Sequence, residues 1–457
     1  MDRKQLGAWY TPPELVAEVA TAVEQLLPVV ECRTRGDGLD TPGRARHSTT
    51  GGRRVLDPAC GDGRLLTAVA DRLGGGGELV GCDIDPTAVA AARAAGIDAF
   101  VADALHNDWG GATFDVVVGN PPFLSQMAAA TSRGGSSRHG GGPYADAAVE
   151  FLALAARLAR PDGGVVALVL PQSILGARDA GPVRAAVGEM AGLAWSWWQP
   201  AQALFDAAVN VCVLGLRRGE HTPPSAWTRV VTDRLGVPAL DPAALRTAGS
   251  LGERAGLNAN FRDEYYALVP AVSDTADGPP LVTSGLIDPG VCHWGARSVR
   301  FAKHEFAAPR VDLGRLTGRF PAWAARKLVA KVLVANQTKV IEAVADPHGA
   351  WLPGVPVSTA TPTDPAQVWE LAAVLTSPVA SVMAWQAAAG TGLSTSAIRL
   401  TPAVLAATPW PSGSLDAAVA ALRAGDVAAC AHDVCRAYGL GTDAAPLLDW
   451  WHTLRPG

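Results

Sequence analysis

Residues 13–218 alternate between segments of helical periodicity and short apolar runs, and this alternation constrains the fold more than any other feature of the chain. A βαβ alternation predicts a mostly parallel, doubly wound sheet that helices cover on both faces. The alternation stops after Arg218. In chain order, we predict a helix in PELVAEVATAVEQLL, a strand in RRVLDPA, a helix in GRLLTAVADRL, a strand in GELVGCDID, a helix in PTAVAAARAAG, strands in IDAFVADAL and FDVVVGN, a helix in ADAAVEFLALAARLA, and strands in GGVVALVLP and NVCVLGLRR.

The length of the chain predicts more than one domain. Its 457 residues exceed the roughly 250–300 at which a single hydrophobic core stops growing. We expect an α/β domain at 1–218, a mixed α+β domain rich in Trp and Pro at 219–412, and a helical tail at 413–457. Two Gly-, Ser- and Arg-rich stretches, 31–54 and 128–143, lack a hydrophobic period and are predicted to be mobile loops. The second could close over a substrate or be a tolerated surface insertion.

The composition favours a soluble, cytoplasmic protein without a membrane segment. The first residues carry charges but no apolar signal region, and no window approaches about 18 uninterrupted apolar residues. The seven cysteines are scattered, odd in number and without C-x-x-C spacing. They argue against a disulfide framework or a zinc site, and we expect reduced, buried thiols and no metal.

The first candidate site is a strand that ends in an acidic side chain and a loop of small residues. The stretch VLDPACGDG ends its strand at Asp57, and Gly61 and Gly63 allow a ligand to approach the backbone closely. A dinucleotide site would need G-x-G-x-x-G and neutral glycines facing a pyrophosphate, and that spacing is absent. An acid in the loop suits instead the ammonium and sulfonium groups of S-adenosyl-L-methionine.

The second and third strands also end in acidic side chains. Asp83 in GCDIDP stands where a carboxylate can accept both hydroxyls of a ribose, and Asp103 in VADAL is placed to accept a hydrogen bond from an adenine amino group. A single strand-end Asp is more often a helix N-cap or a turn residue. Three in succession, each one strand further along the chain, favour a nucleoside site.

The fourth strand runs directly into Asn120-Pro121-Pro122-Phe123, a tetrapeptide that neither continues a strand nor starts a helical turn. The Asn120 side-chain oxygen and the Pro121 carbonyl are two acceptors that can converge on one exocyclic amino group and direct its lone pair at an electrophilic methyl group. The prolines fix φ and hold these carbonyls in place. Phe123 offers a ring on which a base can stack. An isolated N-P-P is more often a tight turn, but this one follows a series of cofactor motifs.

In this order the motifs resemble those of the N6-adenine DNA methyltransferases, specifically the gamma arrangement, whose cofactor and catalytic motifs precede a C-terminal target-recognition domain. The resemblance covers residues 7 to about 218 and implies a Rossmann-like, class I S-adenosylmethionine-dependent methyltransferase fold. The matching segments are GAWYTPPELV, LDPACGDG, DIDP, VADAL, VVVGNPPF, PDGGVVALVLPQSIL and LFDAAVNVCVLGLRR.

The resemblance also assigns roles to cofactor-binding residues. Tyr10-Thr11-Pro12 would close over the cofactor, with the hydroxyl and backbone of Thr11 as contacts. Asp57, Ala59 and Gly61 would hold the methionine part of S-adenosyl-L-methionine. By the same resemblance, Asp83 would hold the ribose and Asp103 the adenine.

Further roles concern the target adenine. Asn120, Pro121 and Phe123 would be catalytic, and Pro122 would contact the base. Phe205 would stack on the face of the base opposite Phe123; the alternative for Phe205 is a core aromatic residue before a strand.

A basic stripe, defined here as Arg297 to Val340, suggests where nucleic acid binds. It contains ten Lys and Arg against two acidic residues, a local net charge of +8 on a chain whose net charge is −5. Alone, this pattern fits a phosphate-binding surface or a solvated charged face equally well. The segments around it resemble the family's recognition domain, which favours DNA. The predicted DNA contacts are Arg326, Lys327, Lys331 and Lys339.

The sequence therefore predicts an enzyme that flips an adenine out of double-stranded DNA and methylates its N6, as the modification component of a restriction-modification or phage-defence system. A cognate restriction endonuclease or other defence proteins are the expected partners, and a monomer is favoured. The alternatives are N-methylation of another amine (cytosine N4, RNA guanine N2 or protein glutamine) and a non-catalytic DNA-binding defence subunit. Cytosine N4 enzymes usually carry Ser in place of Asn120, and a pure binding subunit needs neither Asp57 nor Asp83.

Overall fold

The structure is a computed structural model that describes residues 11–27, 52–75, 77–123, 139–142, 146–198, 210–260, 262–392, 394 and 396–455. The chain divides into two compact units, Met1–Val230 and Val231–Gly457, whereas the sequence analysis placed this boundary after Arg218. Of the predicted loops, 31–54 is described only from residue 52 and 128–143 only at 139–142.

A seven-stranded sheet forms the centre of the first unit. Its strands are β1 Arg54–Asp57, β2 Glu78–Asp83, β3 Asp98–Val101, β4 Val116–Gly119, β5 Val165–Pro171, β6 Ala191–Trp198 and β7 Val211–Arg218. They lie in the order β3-β2-β1-β4-β5-β7-β6. Strands β1 to β5 are parallel, whereas β7 is antiparallel to both β5 and β6. The strand order reverses direction between β1 and β4, and ligands bind beyond the carboxyl ends of such sheets at this switch point.

Helices cover both faces of this sheet. They are α1 Pro13–Leu26, α2 Arg64–Arg72, α3 Pro86–Ala94, α4 Ala147–Leu158 and α5 Gly181–Gly188, and α6 Pro224–Thr232 spans the boundary between the units. Helix α1 packs on α2, β5 and β7, and α4 packs on β4 and β5. Every residue of β4 and β5 is buried, as expected for parallel strands with both faces covered.

This architecture confirms the predicted α/β fold class, and each helix or strand predicted for residues 13–218 is present. The sequence analysis missed α5 and β6. Strand β6 contains Trp195, Trp197 and Trp198. All three side chains are half-buried, so the strand lacks the alternation of buried and exposed residues that identifies a half-buried strand.

The second unit mixes short strands and helices, as predicted. Its strands are β8 Thr247–Ser250, β9 Ala255–Ala259, β10 Val272–Ser273, β11 Leu281–Val282, β12 Ile287–Asp288, β13 Val291–Cys292, β14 Val299–Phe301, β15 His304–Phe306, β16 Arg310–Val311, β17 Lys331–Ala335, β18 Gln337–Thr338, β19 Ala343–Asp346, β20 Leu352–Pro353, β21 Val357–Pro362, β22 Ile398–Arg399 and β23 Pro409–Pro411. Its helices are α7 Arg262–Leu268, α8 Phe320–Lys327, α9 Val368–Leu375, α10 Pro378–Ala388, α11 Pro402–Ala406, α12 Asp416–Arg423, α13 Val427–Ala437 and α14 Ala445–Leu454.

An antiparallel four-stranded sheet, ordered β19-β17-β21-β9, lies at the centre of this unit. Helix α9 packs on β17, β19 and β21. All five residues of β17 are buried. This central position of β17 decides the environment of Lys331, its first residue.

Two features of composition can be compared with the structure. Among the described residues, no single helix is long and apolar enough to cross a membrane, and Pro365–Leu375 with Pro378–Ala388 reaches that length only across a 69° bend. The six described cysteines form no disulfide, and all but the half-buried Cys292 are buried. The predicted burial is therefore confirmed for five of the six, and their reduced state stays a prediction.

Gly63 provides a test of how the loop after β1 is built. Its φ is +81°, and an added Cβ would overlap Cδ1 of the buried Ile97. Gly96 has a similar φ of +85°, but within the part of the chain that the structure describes a Cβ there would meet no atom within 4 Å. Both alanine variants share the cost of a left-handed backbone, and only Gly63→Ala must also displace Ile97. We expect Gly63→Ala to be less stable than Gly96→Ala by about 1–3 kcal/mol in urea unfolding. Equal losses would contradict this packing.

Candidate active site

A buried carboxylate stands at the carboxyl end of β1. Asp57 is only 2% exposed, and its Oδ1 accepts a hydrogen bond from the backbone N–H of Ala59 at 2.9 Å. A Cβ on Gly119, the last residue of β4, would lie 3.2 Å from the same oxygen. Glycine at this position therefore lets the end of β4 approach the carboxylate closely.

Burial changes the acidity of this carboxylate. Loss of solvation raises the pKa of Asp57 to about 7; the hydrogen bond from Ala59 opposes the shift, and the negative charge of Asp83 adds to it. A carboxylate held this way favours a cation beside it, because a positive charge restores the ionised form. Strongly shifted acids in clefts are typical of functional sites.

The loop after Asp57 is fixed against the end of β2. The N–H of Cys60 donates to the carbonyl of Cys82 at 2.9 Å, and the N–H of Gly61 donates to Asp83 Oδ2 at 2.8 Å. Gly61 has a φ of +54°, and a Cβ there would meet no atom of the described residues within 4 Å. The loop thus presents open backbone between two carboxylates, a shape that a ligand with several polar groups can occupy.

The ends of β2 and β3 form the next part of this edge. Besides its bond to Gly61, Asp83 accepts the N–H of Asp85 at 2.9 Å through Oδ1. Asp103 accepts the N–H of Leu105 at 3.0 Å and lies 2.6 Å from His106 Nδ1. Both carboxylates therefore accept hydrogen bonds from nearby backbone N–H groups. This is the turn role that the sequence analysis gave as the alternative to their predicted cofactor roles. Each carboxylate oxygen retains further acceptor capacity.

Two apolar side chains at this edge were missed by the sequence analysis. Ile84 is 59% exposed and Val101 is 49% exposed, although both are large hydrophobic residues. Val101 is the register partner of Asp83, so these side chains flank the same strand ends. The signal was an apolar residue directly after the strand-end Asp83. Exposed aliphatic groups beside a carboxylate suit a flat aromatic ring.

The Asn120 tetrapeptide lies at the end of β4, beside the Asp57 loop. Asn120 is half-buried, and its Nδ2 donates to Thr11 Oγ1 at 3.1 Å. In this orientation the Oδ1 atom of the amide faces away from Thr11. Pro121 is buried, and Phe123 is half-buried and packs against the hydrophobic core of the first unit. The structure thus joins Thr11, which precedes α1, to the tetrapeptide.

The structure brings most of the predicted cofactor and catalytic residues to one edge of the sheet. Hydrogen bonds or register pairs connect the loop from Asp57 to Gly61 with Asp83, and Thr11 with Asn120. Asp103 follows β3, the next strand beyond Asp83. Tyr10 and Phe205 lie outside the described residues, so their predicted roles stay predictions.

The structure corrects the predicted DNA contact at Lys331. Its side chain is 0% exposed, and its Nζ lies 2.5 Å from Oδ2 of Asp346, which is 2% exposed. Burial lowers the pKa of Lys331, and the ion pair opposes that shift. Lys331 begins the central strand β17 and so neutralises a buried carboxylate instead of reaching a phosphate.

The other predicted DNA contacts differ in exposure. Arg326 and Lys339 are exposed. Lys327 is half-buried and donates to Asn258 Oδ1 at 3.3 Å and to Thr359 Oγ1 at 2.9 Å. Burial lowers the pKa of Lys327 to about 8, which weakens it as a phosphate ligand above that pH.

The basic stripe is less positive in the structure than its sequence suggests. Arg297 pairs with Asp288 at 2.8 Å, Arg315 with Asp312 at 3.3 Å and Arg319 with Asp263 at 2.8 Å. Asp288, Asp263 and Asp346 lie outside the basic stripe in the sequence, so the count of charges within the stripe does not include them. Among the described residues, no group of three or more His, Cys, Asp or Glu side chains has a geometry that could hold a metal ion.

The pKa of Asp57 predicts a pH-dependent stability. The pKa of Asp57 is about 7 in the folded protein, above its ordinary value of 3.8, so the folded protein binds more protons than the unfolded chain between these values. The free energy of unfolding should therefore fall as pH rises from about 4 to about 7 and stay low above it. Asp57→Asn removes this term. We expect its stability relative to wild type to increase by roughly 2–3 kcal/mol between pH 5 and pH 8 in urea titrations.

The exposed Asp71→Asn is the matched control for this measurement. It should follow the wild-type pH profile. A pH profile of Asp57→Asn that also parallels wild type would show that Asp57 is ionised without a penalty.

The Lys331–Asp346 ion pair predicts a stability role where the sequence predicted DNA binding. Lys331→Met leaves Asp346 buried without its cation and should lower the free energy of unfolding by about 3–5 kcal/mol. The exposed Arg326→Met should change it by no more than about 0.5 kcal/mol. Urea unfolding of both variants tests this, and a Lys331→Met variant as stable as wild type would refute it.

Comparison with known proteins agrees with this geometry. Residues 55–133 match the family model described as "Methyltransferase domain". Over 72 residues the chain is 44% identical to the type II methyltransferase M.TthHB8I of Thermus thermophilus, and the match spans 16% of each protein.

Solved structures with a similar fold include the type I restriction-modification methyltransferase subunit of Streptococcus thermophilus, with 22% identity, a TM-score of 0.36 and 47% of each chain covered. The EcoKI M protein is 18% identical, with a TM-score of 0.35, over 48% of this chain and 45% of that protein. The match to the methyltransferase family model thus lies within the first unit, at residues 55–133.

Proposed function

We propose that this protein transfers a methyl group from S-adenosyl-L-methionine to N6 of an adenine in double-stranded DNA. The observation that carries the proposal is the position of Asn120 and Pro121. They follow β4 directly, beside the buried Asp57, with the Asn120 amide held by Thr11. A tight turn alone would not require these residues to lie at the switch point of a methyltransferase domain.

The residues at the sheet edge fit S-adenosyl-L-methionine. When bound, this cofactor supplies an electrophilic methyl group on a sulfonium ion. The buried Asp57 and the open backbone at Gly61 suit its methionine ammonium and carboxylate. Asp83 suits the ribose hydroxyls. Ile84 and Val101, with Asp103 beyond them, suit the apolar faces and the amino group of its adenine.

Asn120 and Pro121 would prepare the target nitrogen for attack. The lone pair of an aromatic amine is delocalised into the ring, so the amine is a poor nucleophile. If Asn120 Oδ1 and the Pro121 carbonyl accept hydrogen bonds from its two N–H groups, the pyramidal geometry of the nitrogen is favoured and its lone pair faces the methyl group. The Thr11 hydroxyl fixes the amide orientation that this requires. Acceptors held in place before the reaction cost no reorganisation during it.

Phe123 would receive the flipped base. Extrusion of a base from the duplex costs a few kcal/mol of stacking, and stacking on an aromatic ring recovers part of it. Phe123 packs against the core of the first unit, so its ring position is set before DNA binds. The exposed cations of the second unit would supply contacts to phosphates.

We further propose that the protein is the modification component of a restriction-modification system. Its support is the 44% identity with a type II methyltransferase, which concerns only 16% of this chain. A restriction endonuclease or another defence protein would then be the partner.

Nucleoside analysis tests the target atom. The full-length protein, duplex DNA and S-adenosyl-L-methionine with a deuterated methyl group should yield labelled N6-methyladenine in digests analysed by mass spectrometry. Label in N4-methylcytosine, or in RNA or protein offered in parallel reactions, would assign the chain to one of the alternative N-methyltransferases. Absence of label in every substrate would support the non-catalytic alternative.

Asn120→Ala tests the catalytic assignment. It removes an acceptor that is used mainly in the transition state, so kcat should fall by about 100-fold or more while cofactor affinity stays within about tenfold of wild type. Thr11→Val removes only the hydroxyl that orients the amide and should lower kcat less. Methyl transfer by Asn120→Ala at the wild-type rate would contradict the assignment.

Salt dependence tests the phosphate contacts. Arg326 is exposed, so Arg326→Gln should weaken binding to a cognate and a scrambled duplex alike and reduce the slope of log affinity against log salt by about 0.9. The exposed Arg436, which pairs with Asp433 on the helical tail, is the control whose change to Gln should leave the slope unaltered. Fluorescence anisotropy measures both; an unchanged slope for Arg326→Gln would remove it from the interface.

A further inference from the structure

A two-stranded ribbon in the second unit, β18 with β22, has one buried and one outer face. Gln337 pairs with Arg399, and Thr338 pairs with Ile398. Thr338 is 6% exposed and Ile398 is 0% exposed, so these two side chains form the inner face. Because side chains alternate along a strand, Gln337 and Arg399 share the opposite face. We define the outer face as these two residues together with Lys339, which directly follows β18. Lys339 and Arg399 are exposed there and Gln337 is half-buried.

Buried groups hold the backbone of this ribbon in place. The N–H of Leu400 donates to the carbonyl of Asn336 at 2.8 Å and closes the ribbon at one end. At the other, the indole N–H of Trp385 donates to the carbonyl of Lys339 at 2.7 Å. Trp385 belongs to helix α10 and is 1% exposed. A rigid support of this kind presents side chains to a partner with little ordering cost.

The charges on the outer face remain available. Within the described part of the chain, neither Lys339 nor Arg399 forms an ion pair with a carboxylate, whereas Arg297, Arg315 and Arg319 each pair with an Asp. Acceptor atoms of a bound partner would offset the positive charges of these two side chains. An anionic partner therefore suits this face.

The combination of side chains fits base edges in particular. Arg binds O6 and N7 of guanine with two hydrogen bonds, Lys binds the same acceptors, and Gln can bind N6 and N7 of adenine. A two-stranded ribbon has the right width for the major groove. A surface that only bound phosphates would need neither the amide nor a rigid backbone.

We propose that the outer face of this ribbon, Gln337, Lys339 and Arg399, reads base edges in the major groove of duplex DNA. This inference rests on the proposed function and assigns part of its target recognition. Arg399 is its most informative member. It lies outside the basic stripe in the sequence and reaches Gln337 only through the pairing of β22 with β18.

A binding selection from a library of random duplexes tests this inference without relying on methylation. The full-length wild type should select one preferred sequence, and Arg399→Gln should select the same sequence with one position relaxed. Arg326→Gln, on helix α8, should keep the wild-type preference because a phosphate contact carries no sequence information. Thermal unfolding of both variants should match wild type, since both side chains are exposed.

Anisotropy on the selected and a scrambled duplex supplies the magnitude. Arg399→Gln should lose roughly 5- to 150-fold in affinity for the selected duplex and less than about twofold for the scrambled one. An equal loss on both duplexes, an unchanged selected sequence, or a wild type without any preference would overturn the inference. A wild type that selects a sequence but methylates no DNA would contradict the proposed function alone.

Discussion

The burial of Asp57 is the constraint on which the organisation of the first unit depends. An ionised carboxylate that is 2% exposed is costly, and its pKa of about 7 records this cost. The strand before it, the hydrogen bond from Ala59 and the glycine at 119 all keep the group in place at the switch point of the sheet. The hydrogen bond from Ala59 offsets only part of the lost solvation. A cationic ligand would offset more of it, and under the proposed function the carboxylate would therefore favour S-adenosyl-L-methionine over an anionic nucleotide.

Short stretches of backbone and single hydrogen bonds connect Asp57 to the residues proposed to bind the target amine. Gly119 lies against Asp57 and is followed at once by Asn120, so the loop proposed to bind the cofactor and the tetrapeptide proposed to bind the amine lie next to each other. Thr11 adds a third element, 109 residues away in sequence, through its bond to the Asn120 amide. In the second unit the buried Lys331–Asp346 pair has a structural role, while the exposed cations and the β18–β22 ribbon are the groups proposed to meet DNA.

Local sequence signals predicted the fold of the first unit and the candidate site well, because each strand ends in its own motif. Asp57, Asp83 and Asn120 needed only the rule that parallel strands end at one edge. Features that depend on partners brought close only by the fold could not be predicted. A count of charges placed Lys331 at the surface, since Asp346 approaches it only through the pairing of β17 with β19. The position of Arg399 beside Gln337 could not be predicted either, because it depends on the pairing of β22 with β18. The exposure of Ile84 was a readable signal that was overlooked, and β6 lacked any alternation to read.

Proton release on cofactor binding tests the central claim, that Asp57 meets the cation of S-adenosyl-L-methionine, most directly. Calorimetric titrations of the full-length protein at pH 6, in buffers of different ionisation enthalpy, count the protons exchanged. With its pKa near 7, Asp57 is mostly protonated at that pH in the free protein, and a cation beside it would ionise it. We expect wild type to release about one proton and Asp57→Asn to release none and to bind more weakly. Binding by wild type without proton release, or the same release from both proteins, would contradict it.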